Sequence, residues 1–258
     1  MFLKRPFRAY HIVFAFTTVT LASTAQAQHD AVLPPTAVVI ERSPIPASIH
    51  ANREMVLWMI SPTKHDRGPF SESNSYTCPE YTLGSYFSGP TRISLIDTST
   101  ERPVNTVKLS YLERKEDSFD IPYRILPYHY AVPGPKDAEG KPVLLALRDL
   151  NGDGLPLETV FFEAEACMGL QTTLIGYSPK QDRVIQYEVQ LQQRGAKTET
   201  MRWFDYLFAE KPQSPGRWSY TIDYSGRGGC EDSYKVRYDP AREKFFATRS
   251  QSHCAPDP

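Results

Sequence analysis

Ile185-Gln186-Tyr187-Glu188-Val189-Gln190-Leu191-Gln192 puts an apolar side chain at every odd position and an amide or carboxylate at every even one. Successive side chains of an extended chain point to opposite faces, so this run has one dry face and one wet face. A helix would scatter the same residues around its circumference. Two more runs repeat the pattern. Trp218, Tyr220, Ile222 and Tyr224 alternate with Ser219, Thr221 and Asp223, and Val107, Leu109 and Tyr111 alternate with Thr106, Lys108 and Ser110. Such one-sided strands belong to antiparallel sheets with one face buried.

Turn signals join these runs into hairpins. Residues 97–103 separate 93–96 from 107–112, and 149–158 separate 143–147 from 159–166. Ser178-Pro179-Lys180-Gln181 separates 172–177 from 184–191, and 211–216 separate 203–208 from 218–224. Asp239-Pro240 opens a fifth turn between 233–238 and 245–250, with Asp and Pro where a type I turn prefers them. No long amphipathic helix pattern and no clear repeat appears. The expected fold is all-β, an antiparallel sandwich or compact meander of about five hairpins. A propeller is the alternative, although five hairpins make few four-stranded blades.

The first 27 residues read as a secretory signal peptide: Lys4, Arg5 and Arg8 precede an apolar stretch over 12–22, and Ala25-Gln26-Ala27 supplies a small-x-small cleavage site. An apolar stretch of 11 residues is shorter than a membrane span, which needs about 20. Residues 28–53, with Pro34, Pro35, Pro44 and Pro46, read as an extended arm in which 38–40 add an edge strand. Residues 54–258 are then one β domain, long enough to bury a full core. The chain has 29 basic and 30 acidic residues; three basic ones fall in the leader, leaving 26 against 30. That balance argues against nucleic acid or an anionic membrane surface as partner. The expected location is the periplasm or the extracellular space.

Four cysteines, Cys78, Cys167, Cys230 and Cys254, suit two disulfides in an exported chain. If Asp239 faces Lys244, paired positions in the last hairpin sum to 483, which sets Cys230 opposite His253 and beside Cys254. Cys230–Cys254 is therefore expected to close that hairpin, and Cys78–Cys167 follows by elimination. No cysteine pair has zinc spacing.

The run Asp149-Leu150-Asn151-Gly152-Asp153-Gly154-Leu155-Pro156-Leu157-Glu158 sets three oxygen-bearing side chains at alternate positions, with glycine after the third. Short loops wrap oxygen ligands around a hard cation in this way. Over about ten residues the run resembles EF-hand-like loops, including the strand-linked loops of FG-GAP and VCBS-type repeats. The resemblance implies a calcium ion held by Asp149, Asn151, Asp153, the carbonyl of Leu155 and Glu158. It departs from the pattern at Leu157 and Val160, where acids would stand. The same residues also describe a tight turn without an ion, since Asn-Gly and Asp-Gly favour positive φ and Asx side chains satisfy local amides. There is also a loose resemblance to exported bacterial proteins.

Other candidates are weaker. Glu163 and Glu165 share a strand face at a spacing that suits a glycosidase pair, but Phe162, Ala164 and Ala166 mark the opposite face as core. His29, His50, His65, His129 and His253 are scattered, and neither HExxH nor G-x-S-x-G occurs. Ser225-Gly226-Arg227-Gly228-Gly229 lacks the ending of a phosphate-binding loop. Tyr123, Tyr128 and Tyr130 stand in a proline-spaced stretch where exposed rings would form a platform for a glycan or a protein ligand. The expectation is a disulfide-tied binding or structural module, with a secreted polysaccharide hydrolase as runner-up.

Overall fold

The computed structural model describes residues 33–65, 86–109, 142–165, 169–193 and 197–254. The signal-peptide stretch, Cys78 and Cys167, and Tyr123, Tyr128 and Tyr130 lie outside the described residues. Within them the chain is all-β.

The first sheet begins with β1 (Ala37–Pro44), which turns through the short helix α1 (Ala47–His50) into β2 (Arg53–Ile60). A small ribbon of β3 (Thr63–His65) and β4 (Tyr86–Ser88) follows, and then β5 (Thr91–Asp97) and β6 (Arg102–Leu109). The sheet order is β1-β2-β5-β6, antiparallel throughout. Residues 38–40 lie in β1, an edge strand of eight residues, and prolines at its end are tolerated because an edge needs no further amide donors.

The second sheet is built on β7 (Glu158–Glu165) and β8 (Gly169–Ser178). On the free side of β8 lie two short strands, β9 (Arg183–Gln186) and, further down the chain, β12 (Phe204–Asp205). The third sheet combines β10 (Glu188–Gln193), β11 (Glu199–Met201), β13 (Arg217–Asp223), β14 (Glu231–Asp239) and β15 (Lys244–Ser252) in the order β11-β10-β15-β14-β13. Its β10–β15 pair is parallel.

Side-chain clustering makes the second sheet the middle layer of three. Phe161, Ile175 and Tyr177 on one of its faces join Met55, Leu57 and Leu95 of the first sheet. Val160 and Leu174 on the other face join Val189, Trp218 and Phe245 of the third. Strand β8 is consequently buried without a break from Gln171 to Ser178, and its burial shows no alternation. A smaller cluster on the outside of the first sheet packs Val56, Trp58 and Ile96 against Leu33 and Val39.

Three of the expected hairpins form, over β5–β6, β8–β9 and β14–β15. The last has the expected register, from Asp239↔Lys244 to Glu231↔Ser252, and Cys230–Cys254 closes its open end. Three expectations are corrected. Residues 143–147 form no strand, because the amides of Val143 and Leu145 donate to the Glu41 carboxylate at 2.9 and 2.6 Å. Only the bridge Arg148↔Glu158 brackets the 149–158 loop, which is therefore not a hairpin turn. Residues 203–208 contribute just β12, since the chain bends at Tyr206 (φ 56°) and β12 pairs with β8 while β13 pairs with β14. The 185–192 run is two strands in two sheets, divided at Tyr187. Ile185, Tyr187, Val189 and Leu191 nevertheless face the same core, because the chain crosses from one wall of that core to the other.

Candidate functional site

The Asp-rich loop folds around a buried amide. Asn151 is fully buried, and its Nδ2 donates to Asp153 Oδ2 at 3.0 Å and Glu158 Oε1 at 3.1 Å, with Tyr187 Oη at 3.5 Å. Its Oδ1 accepts the Asp153 amide at 2.9 Å. Asp149 takes the Gly152 amide on one carboxylate oxygen (2.8 Å) and the Gly154 amide on the other (3.0 Å), and Asp153 Oδ1 takes that of Leu155. The loop docks on the turn Ser214-Pro215-Gly216-Arg217, closed by the Arg217 amide donating to the Ser214 carbonyl at 2.9 Å. Gly152 and Gly216 both have positive φ and interlock so closely that a Cβ on Gly152 would lie 2.1 Å from the Gly216 nitrogen.

Glu158 anchors this cluster from β7. It is 1% exposed and accepts the Leu150 amide (3.1 Å), the Asn151 amide and the Tyr187 hydroxyl (3.2 Å). Burial, reinforced by the neighbouring Asp153 charge, outweighs these donors and pushes its carboxyl up to about 8. The Tyr187 phenol is pushed up by burial and by Glu158.

The five residues read as calcium ligands are thus brought into one loop, but their oxygens face N–H and O–H donors. Among the described residues no three His, Cys, Asp or Glu side chains are grouped so as to hold a metal ion. As folded, the Asn151 amide protons point at Asp153 and Glu158.

A second place with chemical character is the outer face of the third sheet. The inner face carries Trp218, Tyr234, Val236 and Phe245, all buried. On the outer face an open trough of about 640 Å³ is floored by side chains of β10, β13, β14 and β15. Gln190, Gln192, Ser219 and Thr248 supply neutral hydrogen-bonding groups, and Arg217, Lys235 and Arg237 supply charge. Among the described residues no carboxylate lines it. Arg237 lies over the Phe246 ring, 4.8 Å from its centroid, and Arg242 approaches the same ring at 5.5 Å.

Glu163 and Glu165 fall on β7 opposite Gln171 and Gly169. Among the histidines, His50 ends α1, His65 ends β3 and His253 is exposed beside the disulfide. Alternation alone marked the trough residues only as a wet face. The β13–β14 pairing, which sets Arg217 opposite Arg237, had no turn motif to reveal it. Comparison with family models, curated proteins and solved structures found no match to the chain.

Proposed function

We propose that the chain is an exported binding module, working in the periplasm or outside the cell, whose ligand surface is the outer face of the third sheet. The observation that carries this reading is the composition of the trough. Amides, hydroxyls and cations converge on an open surface of about 640 Å³, within the usual size of a ligand site. A polysaccharide hydrolase would set two carboxyls across the bound sugar; amide, hydroxyl and cation form a recognition set. The disulfide suits an oxidising compartment, and among the described residues no helix is long and apolar enough to cross a membrane.

In this reading the first two layers and the Asp149 loop are scaffold. Calcium would enter the loop only by displacing the Asn151 amide from between Asp153 and Glu158. Calcium titration followed by thermal melting tests that step: a raised Tm marks entry, and an unchanged Tm marks a brace of hydrogen bonds alone.

The binding reading is tested by screening glycan and peptide arrays with the wild-type chain and with Ser219→Trp, which fills the trough from an exposed position. Ligands captured by the wild type should be lost from the variant while its circular dichroism is unchanged. Equal capture by both chains would move the ligand surface elsewhere.

A further inference from the structure

The charge pattern of the trough names a class of ligand, and this step rests on the binding reading above. Cross-strand partners share a face, so the sheet register writes the floor as rows. One row runs Gln190, Phe246, Arg237, Arg217 from β10 to β13. The next runs Gln192, Thr248, Lys235, Ser219. Arg217 therefore stands directly opposite Arg237, where Cβ atoms are about 5 Å apart and like charges repel. Lys235 adds a third cation two residues along the same strand.

Elsewhere this sheet neutralises its cations. At the end of the same face Lys244 meets Glu188 at 2.6 Å, and on the inner face Arg249 meets Asp232 at 2.6 Å. Among the described residues Arg217, Lys235 and Arg237 have no carboxylate partner. Nor is the surplus a property of a basic chain, whose formal net charge is −1. An unfavourable pair kept on the β13–β14 side of a concave surface is explained by an anion that bridges it.

Arg237 narrows the chemistry. Its guanidinium lies over the Phe246 ring, 4.8 Å from the centroid, and its forked N–H groups suit a planar oxyanion. The ring face is already occupied by guanidinium, which leaves little of it for a stacked base or sugar. Between and beside the cations the rows carry amides and hydroxyls, which donate and accept and so match a polyol. An acidic peptide would use the cations and could meet these groups only through its backbone, whereas a polyol offers a hydroxyl to each of them. We infer that the trough binds an acidic polysaccharide, with carboxylates on Arg217, Lys235 and Arg237 and sugar hydroxyls on the neighbouring glutamine, serine and threonine side chains.

The experiment titrates the full chain calorimetrically with polygalacturonate, neutral dextran and polyglutamate, at low and at high salt. Polygalacturonate should bind at low salt and weaken steeply as salt is added. Replacing all three cations by glutamine (R217Q, K235Q, R237Q) should weaken it at least tenfold with no fall in Tm. Dextran binding as tightly as polygalacturonate overturns the anionic class while keeping the trough as a ligand surface. Polyglutamate binding as tightly overturns the sugar. Polygalacturonate binding that ignores the triple substitution, or no binding of any polymer, overturns the inference. The array screen with Ser219→Trp then decides the broader binding reading separately.

Discussion

At Asn151 a single buried amide draws Asp153 and Glu158 toward one point. Asn151→Ala removes that donor and leaves Glu158 buried with fewer partners, so it should cost about 3 kcal/mol in urea unfolding. A loss under about 0.5 kcal/mol, the scale of an ordinary surface change, would show that the amide is not central. Glu158 itself makes a pH prediction. Its folded value of about 8 lies above the ordinary 4.5, so its contribution is fully present below pH 4.5 and drains away as pH rises through 8. Unfolding free energies at pH 5 and pH 8.5 should fall further for the wild type than for Glu158→Gln; parallel losses would refute a buried, raised carboxyl. The Asp-rich spacing was legible in the sequence. The amide's role was not, because it depends on burial against Tyr187, brought in from the junction between β9 and β10.

Among the elements, the β14–β15 hairpin was the most legible, since Asp239-Pro240 fixes its turn and the turn fixes every pair up to the disulfide. Cys230→Ser should lower stability by about 3 kcal/mol in the chain-entropy argument for a loop of this size, with the hairpin register unchanged in the folded state. Equal stability of wild type and variant under non-reducing conditions would mean that the bond constrains little. Residues 143–147 were misread for a reason that no local pattern reveals: their amides are taken by Glu41, more than a hundred positions earlier. The hand-over at Tyr187 was hidden differently. The alternation there is real, but it follows a shared core rather than a shared sheet.

On the scale of the whole molecule, the layers are tied by polar contacts as well as by cores. Arg53 of β2 holds Asp97 at 2.7 Å and, beyond its own sheet, Asp182 in the β8–β9 turn at 2.6 Å. Ser178, at the end of β8, and Gln181, in that same turn, bond Glu243 in the β14–β15 turn. An all-β chain was evident from period two, but three layers were not, since burial on both faces removes the alternation that marks a strand. The Asp149 loop adds a further tie, because its glycine contact seats the turn that delivers Arg217. Arg217→Glu should convert the repulsive pair with Arg237 into an attractive one and raise Tm by about 1–2 °C. The same variant should lose polygalacturonate. A lower Tm would indicate that the two arginines are not held in register.

The parallel pairing of β10 with β15 makes the third sheet an all-or-nothing assembly. Strand β15 lies between β10 and β14, so it supplies the middle of the trough floor rather than its rim. A chain stalled or clipped before β15 would keep Arg217, Lys235 and Arg237, yet the plate on which Arg237 rests would be gone and β10 would drift from β14. Ligand capture would therefore report that synthesis and folding had both run through β15.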